Sequence, residues 1–168
     1  MQAASNARSM AAPHAASSLR ALAFADAAVR GLNALAPLVD FAIRWIVASV
    51  FFTSGLTKIA SWDTTLALFE NEYAVQLLSP ELAALLGTGV ELVFPVLLVL
   101  GLGTRLSAFV LFVFNVVAVI SYPDLGAVGM KDHMTWGLLL LISMLHGPGT
   151  LSIDHLIRRR LLGAARQE

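Results

Sequence analysis

The sequence predicts an all-α membrane protein: a four-helix bundle running up-down-up-down, with an amphipathic N-terminal helix before it and a short cytoplasmic C-terminal helix after it. Three observations lead there. Of 168 residues, 58% are hydrophobic and 13% charged, and the mean hydropathy is +0.78, which does not suit a surface facing water. Several apolar stretches approach the roughly 20 residues needed to cross a bilayer core about 30 Å thick. Such spans must satisfy their backbone polar groups internally, so helices are required and open strands are excluded. The formal net charge is zero, so no basic field argues for nucleic acid, and the lipid bilayer is the first partner expected. Cysteine is absent, which excludes disulfides, thiolate metal sites and a thiol relay carried by this chain.

Residues 1–38 form an N-terminal segment. Its first 18 residues are rich in Ala and Ser, carry Arg8 and lack acids, the composition of a flexible tail or of a transit peptide. From Ser18 to Leu38, apolar Leu22, Val29, Leu32 and Leu35 recur near helical spacing, with Arg20, Asp26, Arg30 and Asn33 mostly elsewhere on the wheel. That pattern fits a helix lying on the membrane surface, or a loosely ordered leader.

A four-span domain is expected over 39–151, with spans near 39–60, 82–102, 106–121 and 134–149. Pro37 suits the start of the first span, which holds Arg44 near one end and Lys58 near the other. Ser61 to Ser79 form a polar connection whose Trp62, Leu66, Leu68, Phe69 and Tyr73 suggest a short interfacial helix. Ser79-Pro80-Glu81 is a helix start with cap, first-turn proline and first-turn acid. The second span carries Gly87, Gly89, Glu91 and Pro95. Gly101-Leu-Gly-Thr-Arg105 allows only a tight turn, so the second and third spans should be antiparallel neighbours. Tyr122-Pro-Asp-Leu-Gly126 breaks the third span, Lys131-Asp132-His133 leads into the fourth, and His146-Gly-Pro-Gly149 ends it. Ser152 can cap a last amphipathic helix in a basic cytoplasmic tail over 152–168.

With four spans, Arg8, Arg20, Arg30, Arg105, Arg158, Arg159, Arg160 and Arg166 all fall on one side, which the positive-inside rule assigns to the cytoplasm. Both termini are then cytoplasmic in a multi-pass protein of the plasma membrane. The opposite face carries the exoplasmic candidates Asp63, Glu72, Asp124, Asp132 and His133.

Chemistry is expected at an intramembrane charged constellation of Arg44, Lys58, Glu91 and Asn115. A carboxylate at the depth of Glu91 costs a few kcal/mol unless paired, hydrated or protonated, and marks a functional site by default. Arg44 from the first span is the expected partner and Lys58 the rival; the pair either fixes helix register or serves a ligand or proton site. His133 with neighbouring carboxylates could hold a transition metal or relay protons, although no fixed ligand spacing supports a metal, and a helix-start cap is the simpler reading. His146 is expected to bond the last carbonyls of the fourth span, Asn115 to reach a neighbouring span, and Trp45, Trp62 and Trp136 to be belt aromatics. The glycines lack a preceding strand and do not form a phosphate cradle. No catalytic motif is present.

Arg44-Trp-Ile-Val-Ala-Ser-Val-Phe-Phe-Thr-Ser-Gly-Leu-Thr-Lys58, Gly89-Val-Glu91 and Leu100-Gly-Leu-Gly-Thr-Arg105 follow one another in the order Arg, Gly-x-x-Lys, membrane Glu and Gly-x-x-Thr-Arg turn. Over about Phe41 to Leu156 this resembles the DoxX family of bacterial inner-membrane proteins. Ser61 to Val75, Ala118 to Asp124 and His146 to Gly149 look like one subgroup, commonly encoded beside enzymes that modify copper-responsive secreted peptides. The resemblance implies four membrane helices in a bacterial inner membrane. It implies two roles: an accessory or assembly component that binds a membrane or periplasmic protein or peptide in a redox, metal-stress or peptide-maturation system, or a quinone-interacting subunit of an oxidoreductase. The buried charges and His133 themselves suggest a third, a small-substrate or metal transporter. Four short spans are few for a carrier unless the chain forms a homo-oligomer.

Overall fold

A computed structural model describes residues 2–73, 75 and 78–164; the side chains of residues 2–19, 21 and 162–164 are not described. The flexible-tail and transit-peptide readings of residues 1–18, and the far end of the basic tail with Arg166, fall outside the described side chains. Among the described residues there are six helices and no strand: α1 (Gln2–Ala60), α2 (Trp62–Asn71), α3 (Pro80–Leu100), α4 (Thr104–Ser121), α5 (Gly126–His146) and α6 (Ile153–Ala164). Three stretches, Leu22–Ala60, Pro80–Leu100 and Thr104–Ser121, are long and apolar enough to cross a membrane. The protein is an all-helical membrane protein.

The chain divides into two compact units, Met1–Pro37 and Leu38–Glu168. In the first, the apolar Leu22, Phe24, Val29, Leu32 and Leu35 are all exposed, and Arg30 pairs with Asp26 one turn earlier at 2.7 Å. Such an exposed pair adds little to stability. Pro37 does not start a helix as expected: α1 runs from Gln2 to Ala60.

The second unit is a bundle in which α4 packs on both α3 and α5, and α2 packs on α3. Its core is built from Val47, Ala48, Phe51, Leu98, Ala108, Leu111 and Leu140. Long apolar side chains such as Leu85, Leu106, Ile120, Leu138 and Leu145 instead face outward. This arrangement suits lipid, where apolar atoms gain nothing by burial and small interior residues let helices approach. Buried Ala83, Ala84, Ser107 and Ala108 provide that approach.

The helix ends follow the local chemistry. Ser79 caps α3 by accepting from the Leu82 amide at 3.4 Å, with Pro80 in the first turn. Gly101 (φ 67°) and Gly103 (φ 57°) take the left-handed conformation that turns α3 into α4. A side chain at Gly101 would also run into the Ser152 Cβ and the Arg44 guanidinium. Ser152 accepts from the His155 amide at 3.1 Å and caps α6 as its position predicts. The short amphipathic helix expected between the first two spans is α2.

The start of α5 differs from expectation. Gly126 (φ 67°) opens the helix directly after the Tyr122–Leu125 turn, so Lys131, Asp132 and His133 lie in its second turn and not ahead of it. His133 therefore caps nothing. The end of α5 also differs: the Gly147 amide bonds the Ser143 carbonyl at 3.0 Å, and the His146 imidazole turns away to Asp40, Nδ1 to Oδ1 at 3.0 Å.

Candidate functional site

Gly55, Lys58 and Glu91 meet where the last turns of α1 lie against α3. A Cβ at Gly55 would lie 2.9 Å from Leu92 Cδ2 and 3.1 Å from Glu91 Cβ, so α1 and α3 approach this closely only because position 55 has no side chain. One turn further along α1, Lys58 reaches across that contact. Its ammonium lies 2.8 Å from Glu91 Oε1 and 2.7 Å from Oε2. Its third hydrogen goes to the Ser54 hydroxyl at 3.0 Å, and Ser54 Oγ in turn donates to Glu91 Oε1 at 3.1 Å. All three ammonium hydrogens have acceptors, while Glu91 Oε2 keeps an unused lone pair. Pro95, four residues after Glu91, has no amide hydrogen to bond the Glu91 carbonyl, which loosens α3 at this level.

The expected partner was Arg44, and that pairing does not form. Arg44 is buried near the other end of the bundle, where Nη1 donates to the Leu98 carbonyl at 3.3 Å and Nη2 to the Leu151 carbonyl at 2.7 Å. Nε donates to its own helix at Asp40 O, 3.4 Å. Arg44 thus fastens the end of α3 and the segment before α6 to α1. The same region is closed by Asp154, whose carboxylate accepts from the Gly103 and Thr104 amides at the start of α4, at 3.1 and 3.3 Å.

Asn115 reaches the neighbouring helix as expected, and its partner is His133. The amide Nδ2 donates to the His133 carbonyl at 3.0 Å, and Oδ1 meets His133 Nδ1 at 2.8 Å. Gly137, one turn on, leaves room for this amide, since a Cβ there would stand 3.3 Å from Asn115 Nδ2. Because Asn115 spends its amine on the carbonyl, its oxygen must accept from Nδ1–H. The neutral imidazole then carries its lone pair on Nε2.

The ion pair and His133 line one cavity of about 260 Å³. Its remaining wall is largely aromatic: Phe51 and Phe114 from α1 and α4, Phe69 from α2, Tyr73, Tyr122, and Trp136 from α5. The rings brace one another edge-on, Phe51 against Phe114 at 6.3 Å and Trp136 at 6.2 Å, Tyr73 against Tyr122 at 5.4 Å, and Trp136 against His133 at 4.8 Å. Burial holds the Tyr73 phenol above its usual range, with smaller contributions from Tyr122, Glu72 and Glu91. Trp136 is consequently a cavity wall and not a belt residue, whereas Trp45 is exposed as a belt residue would be.

The exoplasmic candidates are not drawn together. Asp63, Glu72, Asp124 and Asp132 are all exposed, none bonds His133 among the described residues, and no group of three or more metal-ligating side chains occurs among them. Sequence reasoning did not assign Ser54, Tyr73, Tyr122 or Trp136 to the site. The readable signal was the Gly-x-x-Lys spacing, which places a contact-permitting residue one turn before the cation and favours Lys58 over Arg44.

No curated protein and no solved structure matches the chain. The family model described as DoxX matches residues 39–123, half of the chain, and runs through Arg44, Gly55, Lys58, Glu91 and Asn115. The arrangement built around those residues is therefore carried by a chain that belongs to the DoxX family.

Proposed function

We propose that this chain is a membrane component of a bacterial redox assembly and that its own contribution is a binding pocket for a quinone-type molecule. One observation carries the reading: the Lys58–Glu91 ion pair and His133 share an aromatic-lined cavity, the combination of apolar walls and few polar groups that holds small ring ligands. A volume of about 260 Å³ suits a ring headgroup, with any apolar tail leaving through the open side. Phe51, Phe114 and Trp136 would sandwich the ring, and Glu91 and His133 would fix its oxygens. Such a group, when bound, supplies electron acceptance or donation. Without cysteine, the matching redox centre belongs to a protein partner, so the chain serves as an accessory, partner-binding subunit.

In this reading the domain at 39–151 crosses the inner membrane four times, up-down-up-down. The N-terminal segment 1–38 and the basic tail 152–168 then lie on the cytoplasmic side, following the arginine distribution. The cavity lies in the exoplasmic half, at the Lys58 end.

Purification in mild detergent from a quinone-producing bacterium, with mass spectrometry of retained small molecules, tests the pocket. The wild-type chain should retain a quinone-type molecule, and Ala118→Phe, which fills the cavity wall, should lose it. Equal retention by both, or no such molecule on the wild type, would overturn the reading.

A further inference from the structure

We propose that a basic groove at the end of the bundle away from Lys58 binds the phosphodiester headgroup of an anionic phospholipid from the surrounding membrane. The groove, of about 480 Å³, is assembled from three segments far apart in sequence: Gly103 to Leu106 at the start of α4, Pro148 beyond the end of α5, and Asp154, His155 and Arg158 on α6.

The fold holds two guanidiniums at this groove. A Cβ at Gly147 would stand 3.0 Å from Arg105 Nε, so a residue without a side chain leaves room for Arg105 at the end of α5. Asp154 ties α6 to the turn by accepting from the Gly103 and Thr104 amides, and Arg158, one helical turn further on, lines the same groove. Those two amides are thereby taken, so an anion would be drawn by side chains and not by the start of α4. Among the described residues the ion pairs are Arg30–Asp26, Lys58–Glu91 and His146–Asp40, and neither Arg105 nor Arg158 is engaged in one. Two guanidiniums against one carboxylate leave a single positive charge when His155 is neutral, the complement of one phosphodiester. Thr104, also on the groove wall, keeps a buried hydroxyl without a hydrogen-bond partner among the described residues, a donor still to be placed.

The surroundings favour a lipid over a free anion. The groove adjoins the turn between Pro80–Leu100 and Thr104–Ser121, two stretches apolar enough to cross a membrane, which puts it at headgroup level. Leu106 on its wall begins a stripe of exposed apolar side chains along α4, continued by Phe109, Val113, Val116 and Ile120 at the three- and four-residue spacing of one helix face. A basic site that opens onto such a stripe fits a molecule with an anionic head and apolar tails, and basic pockets at the ends of spans take headgroups of this kind. An inorganic anion would use the head site and leave the stripe idle.

The test is native mass spectrometry of the chain purified in nonionic detergent and mixed with equal amounts of a phosphatidylglycerol and a phosphatidylcholine bearing the same acyl chains. The phosphatidylglycerol should be retained about fivefold more, the effect of one net charge near the headgroup. Arg105→Gln and Arg158→Gln should each bring that ratio below about twofold, while the double variant Arg159→Gln with Arg160→Gln, neighbours on α6 that do not line the groove, should leave it near fivefold. Arg158 is exposed on α6, so its variant remains informative if Arg105→Gln disturbs the turn. Millimolar inorganic phosphate should not displace the phosphatidylglycerol. A wild-type ratio near one would overturn the proposal. Equal loss in the groove variants and the Arg159/Arg160 variant would also overturn it, leaving only diffuse attraction to a basic helix. Displacement by inorganic phosphate would overturn the lipid as occupant and leave a free-phosphate site.

Discussion

The Lys58 ammonium rests against both oxygens of the Glu91 carboxylate, at 2.8 and 2.7 Å, with side chains only 17% and 5% exposed. Two opposite charges are thus held in an apolar setting, and each makes the other tolerable there. Gly55 permits the helix approach, Ser54 supplies the one additional hydroxyl, and the cavity opens on the pair.

Removing one partner should therefore cost far more than removing both. Lys58→Met leaves a buried carboxylate without its cation and should destabilise the chain by about 3–5 kcal/mol. Lys58→Met combined with Glu91→Leu should recover most of that loss, since a buried ion pair gains little over apolar side chains of similar size. Chemical unfolding in detergent micelles measures both, and a double variant no better than the single one would contradict the pairing.

At the opposite end, Arg44→Gln should loosen a different region. The guanidinium bonds to the Leu98 and Leu151 carbonyls join three segments distant in sequence, and losing these charge-assisted bonds should cost about 3 kcal/mol. Hydrogen exchange should rise at Leu151 to Asp154, while the Lys58 end stays protected. Gly101→Ala should act on the same region, because it combines a strained left-handed backbone with a side chain that runs into the Ser152 Cβ.

Tyr73 offers a pH-dependent probe of the cavity. With Tyr122 changed to Phe, the remaining tyrosine of the two in the chain should ionise above a free phenol, since burial opposes its phenolate. Adding Glu91→Gln should lower that value, because the carboxylate's negative charge is one of the influences that raise it. Ultraviolet titration of the phenol reads the shift, and an unchanged or higher value in the Gln variant would contradict the proximity.

Much of the fold can be read from the sequence because it depends on local chemistry. Span length, the Ser79-Pro80 cap, the glycine turn at 101–103 and the Ser152 cap are each decided within a few residues. The site is less legible. Counting residues brackets Glu91 between Arg44 and Lys58 in depth but does not give how far α3 is shifted along α1. The two cations lie on nearly one face of α1, fourteen residues or about four turns apart, and the axial register of the helices decided that Lys58 meets the carboxylate while Arg44 meets Leu98. The role of His133 was misread for a related reason. Gly126 starts α5 about two turns earlier than expected, converting an expected helix cap into a half-buried side chain facing Asn115. The aromatic wall assembles from α1, α2 with the Tyr73 that follows it, α4 with its cap Tyr122, and α5, and no spacing within one of them announces it.

The most direct measurement uses the absence of native cysteine. Ala118→Cys places a single thiol on the cavity wall, and its reaction with a small membrane-impermeant reagent can be followed in sealed membranes whose exoplasmic face is outward. A ligand cavity beside the Lys58–Glu91 pair predicts that this thiol reacts from the outer face and that a short-chain quinone with a fully substituted ring slows the reaction several-fold. A thiol that does not react from that face, or that reacts at the same rate with and without the ligand, would contradict it.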